Sequence, residues 1–206
     1  MRIRRLRDIS TDAAALEAAE VLRAGGIVLF PTDTLYGLAV DALNEEALAR
    51  LKVLKGREKK KPVSVIVPSL ADMEEHVLLP PEARRIAEAH LPGALTLVLP
   101  ARAHVPESVT LNGALGVRIP DDPFALALAR AFAGPFTATS ANKAGHVTPI
   151  SAMDVITHFG PDAIGIDLII DDGERAGGNP STVVTFVDGV PYIIREGVLS
   201  RETLGF

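Results

Sequence analysis

The sequence predicts an α/β fold, built on an open, twisted sheet of mixed parallel and antiparallel strands with flanking helices. Three observations carry this. Short apolar runs such as Gly26–Phe30, Val63–Val67 and Leu95–Leu99 read as buried strands. Segments of helical periodicity, with capping residues in front and glycine behind, separate these runs. Near the end, Asp188-Gly189 lies between two β-branched runs, Thr182–Val187 and Val190–Arg195, and signals an antiparallel hairpin.

Taken in order, residues 12–24 repeat Ala, Leu and Val at helical spacing, with Ser10 or Thr11 as N-cap and Gly25-Gly26 as the stop. Gly26–Phe30 follows as a strand that breaks at Pro31 into the polar stretch Thr32-Asp33-Thr34-Leu35-Tyr36-Gly37. Asn44 caps a second helix with Glu45 and Glu46 in its first turn. Leu48, Leu51 and Leu54 form its buried stripe, Lys55 lies in its last turn, and Gly56 closes it. A helix from Pro81 to about His90, the strand Leu95–Leu99 and a shorter one at Gly116–Ile119 come next. Asp121 or Asp122 with Pro123 starts a helix that ends at Gly134-Pro135, and Phe136–Thr139 reads as one short strand. Ser151 and Asp154 form a capping box over Ala152–Phe159, and Ile166–Ile170 is apolar again. Residues 1–206 are expected to form a single domain, with no linker and no repeat.

Composition narrows the chemistry. A hydrophobic content of 48% supplies a packed core, and the absence of cysteine removes disulfides, thiolate metal sites and thiol nucleophiles together. No apolar run approaches the ~18–20 residues of a membrane span, so a cytoplasmic protein is expected. The five histidines, His76, His90, His104, His146 and His158, are well separated, form no i, i+4 pair and read as solvated surface residues, so no protein-built metal site is expected. Phosphate-loop, dinucleotide-fingerprint and nucleophile-elbow motifs are all missing.

The charge is concentrated elsewhere. Arg50, Lys52, Lys55, Arg57, Lys59, Lys60 and Lys61 stand against Glu58 alone, in a chain whose net charge is −5. A solvated helix end accounts for Arg50, Lys52 and Lys55 through the helix dipole, but not for the run beyond Gly56; phosphates or RNA would suit that loop. Three more polar corners follow apolar strands: Arg118 within Gly116–Pro120, the segment Thr137–Gly145, and Asn179-Pro180-Ser181-Thr182 leading to the strand that carries Arg195. An arginine inside an apolar strand is either outward-facing or paired with an anion.

These corners also carry a resemblance. Pro31-Thr32-Asp33-Thr34-Leu35-Tyr36-Gly37-Leu38, Lys55-Gly56-Arg57, Lys61-Pro62, Pro92-Gly93-Ala94-Leu95-Thr96, Val117-Arg118-Ile119-Pro120, Ser140-Ala141-Asn142 and Pro180-Ser181-Thr182-Val183-Val184 occur in the order found in the YrdC family, the threonylcarbamoyl-AMP synthases of tRNA modification. The match runs from about residue 10 to 197. Ala94, Ala144 and Thr185 depart from the family pattern. The resemblance implies a large concave basic cavity and the synthesis of L-threonylcarbamoyladenylate from L-threonine, bicarbonate and ATP, with release of pyrophosphate. It implies threonine contacts from Thr32, Thr34, Tyr36, Ile66, Ala138 and Ser181. It implies ATP contacts from Lys55, Arg57, Lys61, Arg118, Ser140, Asn142, Thr148 and Arg195. No residue acts as a nucleophile; Lys55, Arg57 and Arg118 would stabilise charge, with Mg²⁺ arriving on ATP. Downstream partners would be the proteins that transfer the threonylcarbamoyl group to tRNA. A single-domain form is expected, since nine residues follow Gly197. Two alternatives remain: a module that binds double-stranded RNA or tRNA without chemistry, and a carbamoyl-transfer domain.

Overall fold

Ile27–Phe30 is apolar at every position because both faces of its strand are covered. In the computed structural model, which describes residues 1–56, 63–175, 177 and 179–206, Ile27 and Leu29 belong to one core cluster and Val28 and Phe30 to another. Successive side chains of a strand point to opposite faces, so a strand with helices on both sides loses the usual polar alternation.

The strands divide between two sheets. The first, five-stranded, has the order β1 (Arg2–Arg5), β9 (Leu168–Asp171), β2 (Val28–Phe30), β3 (Gly37–Ala39), β8 (Thr139–Ser140). The second, six-stranded, runs β11 (Val190–Arg195), β10 (Thr182–Val187), β5 (Leu95–Pro100), β6 (Ala114–Arg118), β4 (Val65–Ile66), β7 (Phe136–Thr137). Each mixes directions: β2 is parallel to β9 and antiparallel to β3, while β5 is parallel to β10 and antiparallel to β6. The mixed α/β architecture is therefore the one expected, distributed over two open sheets.

Helix starts follow the capping residues. Ser10 caps α1 (Thr11–Arg23), Asn44 caps α2 (Glu45–Leu54), Asp122 caps α5 (Pro123–Phe132) and Ser151 caps α6 (Ala152–Phe159), each with a side-chain oxygen accepting from a first-turn N–H. The Asp188-Gly189 hairpin also forms as read, with φ of 51° and 79°, the left-handed pair that a tight turn between twisted strands requires. On the first sheet, α1 lays Ala14, Ala15, Ala18 and Leu22 against Phe124, Ala125, Leu128 and Ala129 of α5. Arg23 ties the pair by donating to the Ala131 carbonyl at the end of α5.

Three differences from the sequence reading matter. A helix α3 (Leu70–His76), capped by Ser69, lies between β4 and α4 (Pro81–His90). The expected strand over Phe136–Thr139 is interrupted at Ala138, whose N–H donates to Ser64 O at 2.7 Å, so that β7 joins the second sheet and β8 the first. His76 is buried, 7% exposed, with Nδ1 at 3.0 Å from His104 Nε2, and His158 Nε2 accepts from the Lys143 N–H at 3.0 Å. His76 is therefore a buried structural group and not a solvated one, while its partner His104 is exposed; the fold brings together residues that are distant in sequence.

Candidate functional site

The alternation of the six-stranded sheet builds the site. Leu97, Val117, Val65 and Val184 point into the main core, which leaves the opposite face to Ser64, Thr96, Arg118 and Val183. Over that face lie the Thr32–Gly37 loop of the first sheet, the crossing at Ala138 and the Pro180-Ser181 entry to β10. Together they form a half-open cavity of about 240 Å³, lined by Thr32, Thr34, Leu35, Tyr36, Gly37, Val63, Ser64, Thr96, Arg118, Ala138, Thr139, Ser140, Pro180, Ser181, Val183 and Arg195.

Thr32 organises its own loop. Its hydroxyl donates to Leu35 O at 2.6 Å and accepts from the N–H groups of Thr34 and Leu35, both at 3.2 Å. Thr34, half-buried, is carried at the tip of that turn with Oγ1 at 3.1 Å from Thr32 Oγ1. Between them Asp33 forms an ion pair with Arg118, whose Nε also donates to Gly93 O at 3.3 Å. The arginine is 6% exposed, so the anionic partner that a buried strand arginine needs comes from the opposite sheet.

Arg195 reaches the same wall from the far end of the hairpin. Its Nη2 donates to Ser181 O at 2.8 Å and to Ser181 Oγ at 3.3 Å. Partial burial, and then the charge of Arg118, lower its pKa from the ordinary arginine value. Two guanidinium groups thus face one small hydroxyl-lined space, a setting for an anionic ligand. Thr185, one of the departures from the family pattern, donates its hydroxyl to Val98 O at 3.3 Å within the ladder.

Tyr36 holds a different part of the wall. Its phenol donates to Gly173 O at 2.8 Å and accepts from the Asp172 N–H at 2.9 Å, and Arg175 continues the attachment to Asp122 at 3.0 Å. The Gly-rich stretch Asp171–Asn179 is pinned at these points; Ala176 and Gly178 lie outside the described residues. Burial pushes the Tyr36 phenol up to about 12. Tyr36→Phe removes two partly buried hydrogen bonds and should cost about 1–2 kcal/mol in urea unfolding. Because the folded-state pKa lies above the ordinary 10.0, the wild type should also lose stability as pH rises from 10.0 to about 12. Tyr36→Phe should lack that alkaline loss.

Of the sequence candidates, Thr32, Thr34, Tyr36, Ala138, Ser181, Arg118, Ser140 and Arg195 meet at this cavity. Lys55 and Asn142 lie beside it. Lys55, 3% exposed, donates from Nζ to the carbonyls of Ser140 and Asn142, while Asn142 accepts from the Ser140 hydroxyl and donates to His146 O. They stabilise the Ser140–Asn142 turn whose first residue faces the cavity. Ile66 is fully buried in the core with Phe30 and Phe136, and Thr148 lies outside the lining. Arg57 and Lys61 fall outside the described residues. Ser64 and Thr96 were given no site role from sequence; Thr96 was signalled by its place in the Pro92–Thr96 motif and by the one hydroxyl within Leu95–Leu99, Ser64 by the one hydroxyl within Val63–Val67. Among the described residues, no cluster of three or more His, Asp or Glu is arranged to hold a metal ion. No helix there is long and apolar enough to cross a membrane.

The family model for Sua5_yciO_yrdC, described as telomere recombination, matches residues 20–197. The chain belongs to the Sua5/YciO/YrdC family. Within that family, a threonylcarbamoyl-AMP synthase of Bacillus subtilis is 35% identical over 201 residues, covering 96% of this chain and 57% of its own length. One from Pyrococcus abyssi is 37% identical over 190 residues, covering 91% and 55%. The crystal structure of P. abyssi Sua5 complexed with L-threonine superposes with a TM-score of 0.88 at 36% identity, over 98% of this chain and 58% of that one. The chain therefore spans a little over half the length of these Sua5 family relatives.

Proposed function

We propose that this chain synthesises L-threonylcarbamoyladenylate from L-threonine, bicarbonate and ATP, releasing pyrophosphate. The observation that carries the reading is the half-open cavity in which the hydroxyls of Thr34 and Ser181 face the guanidinium groups of Arg118 and Arg195. Membership of the family, and the threonine complex of a relative with a closely similar fold, support it. At about 240 Å³ the space suits an amino acid; the pockets of drug-sized ligands measure roughly 300–1,000 Å³, so the nucleotide would extend beyond it.

In this reading the threonine amine and bicarbonate give a carbamate and water. A carbamate oxygen then attacks the α-phosphorus of ATP, and pyrophosphate leaves with the electron pair of the broken P–O bond. No protein nucleophile is needed, in keeping with a site of hydroxyls and cations. Thr34 and Ser181 hold the amino acid. Arg118 and Arg195 neutralise charge from the cavity side, with Arg57 and Lys61 as the sequence's further candidates for the phosphates. The Lys55-anchored turn presents Ser140 to the nucleotide. Mg²⁺ would arrive on the triphosphate. The adenylate would then pass to the proteins that load tRNA.

Pyrophosphate release from ATP tests this. The expected result is turnover that requires both L-threonine and bicarbonate. Release that continues when threonine is omitted, or none with all three present, would overturn the proposal.

A further inference from the structure

We propose that Thr96 is a positioning residue that makes Ser181 a hydrogen-bond donor to the amino acid, so that the site requires an acceptor oxygen at that point. The inference rests on the reading that the cavity takes threonine. Thr96 is the single polar side chain in the apolar run Leu95–Leu99, and it is 2% exposed. Its Oγ1 lies 2.9 Å from Ser181 Oγ. Register fixes the meeting: β5 and β10 run parallel with Thr96 opposite Val183, which brings Ser181, at the entry to β10, beside Thr96.

Counting protons then sets the direction. A hydroxyl has one proton and two acceptor lone pairs, and an arginine only donates. Arg195 therefore occupies one lone pair of Ser181 Oγ. The 2.9 Å contact allows either hydroxyl to donate, and the relay gives the donor role to Thr96, the more buried of the two at 2% against 7% exposed, so that its proton occupies the second lone pair. What remains to Ser181 is its own proton, in a residue that lines the cavity. The ligand group meeting it must accept. The ammonium of bound threonine does not fit that role; its carboxylate or hydroxyl oxygen does. The relay thus fixes which end of the amino acid faces Ser181 and leaves the amine to point toward the reacting bicarbonate.

Calorimetric binding of L-threonine, with initial-rate kinetics alongside, tests the relay. Thr96→Val keeps the shape and removes the donor. It should weaken threonine binding and raise the KM for threonine by about three- to tenfold, the worth of one net hydrogen bond, with kcat and the KM for ATP unchanged. Thr96→Ser should restore wild-type values. In a Ser181→Ala background Thr96→Val should have no further effect, because Thr96 acts through Ser181. L-2-Aminobutyrate, which lacks the hydroxyl, separates the two acceptors: a persisting Thr96→Val effect assigns the carboxylate, a vanished one the hydroxyl. Unchanged threonine binding in Thr96→Val, or additive losses in the double variant, would overturn the relay. A wild type that binds threonine without turnover overturns the proposed function while the binding series still decides the relay; one that does neither overturns both.

Discussion

Arg118→Ala should abolish threonine-dependent turnover and destabilise the fold by about 3–5 kcal/mol, the usual result of removing one partner of a buried ion pair. Side-chain exposures of 7% for Arg118 and 12% for Asp33 place this pair in the buried class, where the orphaned carboxylate keeps its desolvation cost and loses its counter-charge. Two effects are combined in that variant, and a second one separates them. Asp33→Asn with Arg118→Gln replaces the pair by neutral hydrogen-bonding groups, so stability measured by urea unfolding should largely return. Turnover should remain at least about a hundredfold down, because the cation proposed to meet the ligand is still missing. A double variant with near-wild-type turnover would show that Arg118 only holds the Thr32–Gly37 loop in place.

Gly197→Ala should also be damaging, although the residue does not itself line the cavity. A Cβ there would lie 2.1 Å from Pro180 O and 2.7 Å from both Ser181 C and Thr182 N. All three are backbone atoms and no rotamer change relieves the contact. The segment is held close by Thr182, whose hydroxyl donates to Leu199 O at 2.6 Å and accepts from the Gly197 and Leu199 N–H groups, each at 3.0 Å. The methyl group must therefore displace the Pro180-Ser181 wall. Overpacking of this kind costs about 1–3 kcal/mol. Displacing Ser181 from Thr96 and Arg195 should raise the KM for threonine by at least about tenfold. Thermal unfolding and threonine titration check the two parts, and a stable Gly197→Ala variant with wild-type threonine affinity would contradict the account.

Local signals were sufficient wherever the physics is local. Ser10, Asn44, Asp122 and Ser151 cap helices because a side-chain oxygen satisfies a first-turn N–H within the same short segment, and Asp188-Gly189 turns because of its own backbone preferences. The helix Leu70–His76 was readable in the same way from Ser69 and Asp72, whose spacing satisfies the cap. Sheet membership was not readable. Phe136–Thr139 looks like one strand in sequence, and only pairing with β4 on one side and β3 on the other divides it at Ala138. The first strand, Arg2–Arg5, hides in a basic segment because it lies at a sheet edge and directs Arg2 and Arg4 to Glu17.

The site divides along the same line. Its polar corners stand out because each interrupts an apolar run, and the cavity gathers most of them. Their roles depend on partners far away in sequence. Asp33 meets Arg118 across the two sheets, and Ser181 meets Thr96 across a parallel ladder. Lys55 belongs to the basic run in sequence, yet in the fold it is buried and holds the Ser140–Asn142 turn. Ile66 lies on the same strand face as the cavity residues but is covered by Phe30 and Phe136.

The central claim is that one site joins three substrates around a carbamate. Incubation with ATP, L-threonine and ¹³C-bicarbonate, followed by mass spectrometry of the nucleotide products, tests it most directly. The account predicts L-threonylcarbamoyladenylate carrying one ¹³C in its carbamoyl group, formed in step with pyrophosphate and absent without threonine. Unlabelled threonyl adenylate, or AMP and pyrophosphate with no threonine-containing adduct, would contradict it.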